Sequence, residues 1–111
     1  MANTFKLKTA TGGSTAANSP ITVYTTPAST TTIVIGLTLS NLVTQSIAAT
    51  VLIENSDGDN VTFLKNVPLP QGSALEVMAG NKVVLEATDT LTVNSDTNNS
   101  IDASLTIMEI T

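Results

Sequence analysis

Apolar and polar residues alternate along most of this chain with a period of two, the signature of strands buried on one face. The longest run, "TTTIVIGLTLSN", sets Ile33, Ile35, Leu37 and Leu39 on one side and Val34, Gly36, Thr38 and Ser40 on the other. In "SIAATVLIE" the inward set is Ile47, Ala49, Val51 and Ile53; in "TLTVNS" it is Leu91 and Val93. The closing run, "IDASLTIMEI", places Ile101, Ala103, Leu105 and Ile107 on one face. Shorter strands are expected at "ITVYT" between Pro20 and Pro27, at "VTFLKN", at "ALEVM" and at "KVVLE". Turn signals separate them: "NSDGDN", "QGS", "AGN", "ATD" and "DTNNS", the last expected to close a hairpin. Pro68 and Pro70 bar a central strand between them, since proline donates nothing to a ladder. Gly36 inside an apolar strand suggests a bulge or a close backbone approach. No segment has a 3.6-residue period, and β-branched residues dominate. The pattern predicts an all-β protein of about eight strands, an antiparallel two-sheet sandwich of the Ig-like or jelly-roll type, with a small barrel as the alternative.

Both ends depart from this regularity. The opening strand "TFKLKT" puts Phe5 and Leu7 on one face and Lys6 and Lys8 on the other. It joins the rest through "ATGGSTAANS", a Gly-, Ser-, Ala- and Thr-rich connector, so residues 1–19 divide as an arm from a body at 20–111. Such a strand either pairs at the edge of its own sheet or exchanges with a neighbouring copy. At the other end Met108 and Ile110 fall on the polar face and Glu109 on the apolar one. Either a bulge restores the alternation or the strand ends in a subunit contact. Phe5, Leu7, Met108 and Ile110 are therefore the candidate subunit contacts.

Composition narrows the chemistry. Of the 111 residues only 12% are charged, about half the usual share, and the net charge is −5. Lys6, Lys8, Lys65 and Lys82 are the only basic residues, too few and too scattered for a phosphate backbone or an anionic membrane. With neither His nor Cys, the usual triads and thiolate sites cannot form. A Ser–Lys pair would need a desolvated lysine, and Lys65 and Lys82 sit in solvent-facing contexts. Glu76, Glu86, Asp89, Asp96 and Asp102 are the carboxylates that would have to pair as sugar-cleaving acids. They fall at turn edges or on polar faces, and Phe5, Tyr24 and Phe63 are the only aromatics to build a sugar platform. "NSDGDN" fails the EF-hand spacing: its sixth residue is Asn60 and the twelfth position is Asn66. A looser Ca²⁺ site on Asp57 and Asp59 stays open at this stage. No catalytic, cofactor or metal site is expected. "MANTFKLKTA" lacks the charged and apolar regions of a signal peptide, and no apolar run is long enough for a spanning helix, so synthesis in a cytoplasm is expected.

Several segments resemble small virion structural proteins of tailed bacteriophages. "YTTPASTTTIVIGLTLSN" is similar to their Y-T-x-P-x-x-T-T-x-x-x-x-G-L-x-x-x-N opening, and "LKNVPLPQGSALEV" to their K-x-x-P-x-P-x-G-x-x-L segment. "KVVLEATDTLTV" resembles their L-E-x-x-D-x-L-x-V element, and "SLTIMEIT" their closing strand. The likeness runs from Tyr24 to Thr111 and consists of turn and strand grammar. It implies a non-enzymatic, multi-copy accessory subunit, made in a host cytoplasm and carried on the virion. Such a subunit decorates or cements the capsid, or forms part of the neck or tail. Its partners would be further copies and other virion proteins. The competing reading is a recognition module that binds a host-surface glycan or protein through "NSDGDN" and "SDTNNS".

Overall fold

The computed structural model describes residues 3–13, 16–55, 58–78 and 82–111. Within them the chain forms nine strands and no helix: β1 (Asn3–Thr11), β2 (Ile21–Thr25), β3 (Thr31–Asn41), β4 (Ile47–Glu54), β5 (Asn60–Leu69), β6 (Ala74–Glu76), β7 (Val83–Leu85), β8 (Thr90–Ser95) and β9 (Ile101–Ile110). All pairings are antiparallel. One sheet runs β1-β9-β3-β6 with β7 also on β3; the other runs β2-β8-β4-β5. β6 faces Thr38–Ser40 and β7 faces Thr32–Val34, so the two are halves of one interrupted strand. That leaves eight strand positions in two sheets of four. The chain passes from one sheet to the other at nearly every step, which is jelly-roll connectivity rather than an Ig-like order or a barrel.

The turn at residues 96–100 does not close a hairpin, as its composition suggested. β8 lies in one sheet and β9 in the other. Each carries its own inward row, Leu91 and Val93 against Ile101 to Ile107, so the two strands bury more by facing each other across the core than by lying side by side. Leu37, Leu39, Leu105 and Ile107 of the first sheet and Val51 and Val93 of the second are essentially removed from solvent. Burying each such side chain is worth roughly 1.5–3 kcal/mol.

The longest strand is not regular. Its register against β9 shifts between Val34 and Gly36. The extra residue flips the alternation: Val34 is 2% exposed, Ile35 is 36% exposed, and Ile33 turns to the outer face beside Met108. The expected inward set of Ile33, Ile35, Leu37 and Leu39 therefore holds only beyond the bulge. Glu76 explains why the bulge is tolerated. Its Oε1 accepts from Leu37 N at 3.0 Å and Met78 N at 3.1 Å, and its Oε2 accepts from Thr38 Oγ1 at 2.9 Å. Burial raises the Glu76 pKa, but these three donors outweigh it and leave the carboxyl below its ordinary value. β9 itself keeps unbroken alternation, with no bulge near Met108.

The four sheet margins differ. β5 carries Lys65, Pro68 and two register shifts. β2 is five residues long and lies between Pro20 and Pro27. The β6/β7 margin is broken in two. β1 alone is long and continuous, paired without a shift from Asn3↔Ile110 to Thr11↔Asp102.

Candidate assembly face

In antiparallel register, directly opposed residues share a face. Phe5 opposes Met108, Met108 opposes Ile33, and Ile33 opposes Val84. These four side chains form one apolar row across β1, β9, β3 and β7 on the outer surface of the first sheet. Phe5 is 71% exposed and Val84 58%, while Ile33 and Met108 are partly covered by their neighbours. Leu7, 66% exposed, stands two residues along β1. Ile110 lies one rung the other way, between Asn3 and Thr31. All four candidate contact residues thus fall in one patch. Ile33 and Val84 extend it. The sequence pattern missed Ile33 because the bulge reverses its face, and missed Val84 because two adjacent valines give no inward–outward signal.

Beneath this patch lies a polar staple between the sheets. Glu109 points to the core face and is 6% exposed. Lys6 of β1 reaches its Oε1 at 2.8 Å. The Tyr24 hydroxyl, from β2 in the opposite sheet, donates to its Oε2 at 2.5 Å and accepts from Thr32 Oγ1 at 2.9 Å. A register shift between Thr22 and Tyr24 accompanies the burial of both Val23 and Tyr24. The hydrogen bond from Lys6, then that from Tyr24, hold the Glu109 carboxyl below its ordinary pKa against the opposing effect of burial. Burial, reinforced by the bond to Glu109, pushes Tyr24 up to about 12. Every charge here has a partner, so the group closes the end of the sandwich and leaves no free acid or base for proton transfer.

At the other end of the same face an open groove of about 410 Å³ is lined by Thr9, Ala10, Thr11, Ser40, Asp102, Ala103 and Ser104. Asp102 Oδ1 is buried there without a hydrogen-bond partner among the described residues. The remaining candidate carboxylates do not converge. Glu76 holds the bulge; Asp89 Oδ2 accepts from Glu86 N at 2.9 Å within its turn; Asp96 Oδ1 accepts from Ala48 N at 2.9 Å. Asp89 is 8% exposed, so it is not the surface carboxylate its turn position suggested. Among the described residues no group of three potential metal ligands occurs. Asp57 lies outside them; Asp59 closes its turn through its backbone, donating from N to Asn55 Oδ1 at 3.2 Å. Lys65 and Lys82 are exposed. The two loops of the recognition reading follow the ends of β4 and β8. Those strands are antiparallel neighbours with Glu54 opposite Thr90 and Ala49 opposite Ser95, so the loops sit at opposite ends of the sheet.

No protein-family model matches the chain, and no curated protein does. Two of the solved structures that match its fold are a pilus chain and a viral chain. One is a chain of Bacillus endospore appendages, described as a novel family of disulfide-linked pili; it is 12% identical over 99% of this chain and 87% of its own, with a TM-score of 0.55. The other is a chain of infectious bursal disease virus, Gx strain; it is 14% identical over 95% of this chain, with a TM-score of 0.50. This chain spans only 33% of that viral one.

Proposed function

We propose that the chain is a non-enzymatic structural subunit carried in many copies on a tailed-phage virion, where it decorates or cements the capsid or forms part of the neck or tail. The observation that carries this reading is the apolar row Phe5–Met108–Ile33–Val84, flanked by Leu7 and Ile110, on a sheet face that no described residue covers. A folded monomer gains nothing from holding such a row in water, whereas a packed neighbour removes it from solvent. The shared fold with a pilus chain and a viral chain supports the same direction, since pili and virus particles repeat their subunits. The sequence resemblance supplies the phage context. The partners are further copies of the chain and other virion proteins.

Sedimentation velocity over a concentration series tests the self-association. The wild-type chain is expected to associate into the high micromolar range. The double variant Phe5→Ser, Met108→Ser is expected to weaken association at least tenfold with little change in monomer stability. A wild-type chain that stays monomeric throughout, or a double variant that associates equally well, overturns this reading of the face. Mass spectrometry of purified particles from infected cells checks the virion location.

A further inference from the structure

β1 is the least embedded strand of the fold. Of its nine residues only Ala10 packs against the core; Phe5 and Leu7 face outward. It is held by its ladder to β9, by Lys6 on Glu109 and, just past its end, by Gly12 N on Ile101 O at 2.6 Å. All three attachments go to β9, and β1 also runs close to β2 of the other sheet without pairing with it. Among the described residues the connector next meets the body at Ala17, which donates to Asn98 Oδ1 at 2.6 Å, and at Asn18, which donates to Ser95 O at 2.7 Å. Between Gly12 and Ala17 the sequence is Gly-Gly-Ser-Thr-Ala-Ala, the composition of a flexible joint.

β9, in contrast, requires a strand at this position. Without one, a ten-residue strand central to the core would become an open edge, and buried Glu109 would lose its cation. Nothing in the demand is specific to the chain's own β1. A second copy offers the same nine rungs and the same lysine.

We infer that β1 is an exchangeable strand: in the assembled state it leaves its own β9 and completes the first sheet of a neighbouring copy. This deepens the reading of the chain as a self-assembling subunit and rests on it. The contacts made within and between chains are the same, so the balance is set by concentration. A short tether presents its own strand at an effective concentration on the order of millimolar. Exchange takes over once copies are crowded to that density, as they are on a particle surface.

The chain lacks cysteine, which makes a disulfide test clean. Ala10 and Ala103 are directly opposed on the core face, and Ala103 is 3% exposed, so a molecule merely packed on the outer face cannot bring the two together. Ala10→Cys and ¹⁵N-labelled Ala103→Cys chains are mixed, concentrated until they associate, and oxidised mildly. Intact mass then identifies the mixed disulfide. The expected result is a heterodimer several-fold above that from Val61→Cys mixed with Ala103→Cys, and a yield that rises with concentration. Where Ala103→Cys does not fold, Lys8→Cys with Leu105→Cys probes the next rung on the same core face. Association by light scattering without a heterodimer above the control overturns strand exchange and leaves the assembly face standing. A monomer at every concentration overturns both.

Discussion

The polar staple makes a demanding prediction, because Tyr24 is the only tyrosine and the chain has no tryptophan. Replacing it by phenylalanine keeps the ring and removes the one hydroxyl that bridges Glu109 and Thr32. A hydrogen bond to a charged group contributes about 1.5–3 kcal/mol, and losing it leaves Thr32 Oγ1 without this partner. Tyr24→Phe should therefore cost about 2–3 kcal/mol in urea denaturation near neutral pH. The pH dependence is a second signature. The Tyr24 pKa rises from 10.0 to about 12 on folding, so the fold favours the neutral phenol. That contribution is complete below the unfolded value and is lost as pH climbs from about 10 to 12; its size is of order 3 kcal/mol. Wild type should destabilise steeply across this window, and Tyr24→Phe should lack that component. Tyrosinate absorbance of the folded protein reads the same group directly. Titration near 10 in the folded state, or a loss below about 0.5 kcal/mol in the variant, would refute the staple.

Other perturbations separate the remaining features. Glu109 has a depressed carboxyl, so its contribution is present above the ordinary carboxylate range and lost as pH falls through its lower folded value; urea midpoints should drop on acidification, and less so in Glu109→Gln. A Cβ on Gly12 would collide with Ile101 O, so Gly12→Ala should destabilise the end of β1 by about 1–3 kcal/mol, read as faster amide exchange along β1. Glu76→Ala removes three hydrogen bonds at the bulge and should cost about 1–2 kcal/mol, with loss of protection at the Leu37 amide. Leu105→Ala, at a fully buried site facing the second sheet, should cost about 2–5 kcal/mol by denaturant titration.

Much of the framework was legible in the sequence, because a period of two is a local property. The inward sets of β4, β8 and β9 follow from alternation alone. The "QGS" turn shows as expected, with Gly72 at φ 70° and Ser73 N donating to Pro70 O at 3.2 Å. What stayed hidden depends on partners far along the chain. Sheet membership of β8 and β9 is decided by which rows face across the core, which alternation does not encode. The bulge at Ile35 is stabilised by Glu76, thirty-nine residues beyond the Leu37 amide it accepts from. Glu109 read as an anomaly on an apolar face until Tyr24, eighty-five residues earlier, supplied its donor. One signal was available. A lone acid on an inward row, a lone tyrosine and an alternating lysine pair on the first strand are the parts of a buried, satisfied cluster.

The uneven margins of the two sheets limit how copies pair edge to edge. Pro68 and the two register shifts of β5, the clipped β2 and the severed β6/β7 side each refuse a further ladder. Each molecule keeps one unguarded flank, and two such flanks that pair use each other up. Backbone pairing through that flank stops at two copies, so concentrated protein avoids the stacked sheets that an all-β chain with four open borders would invite.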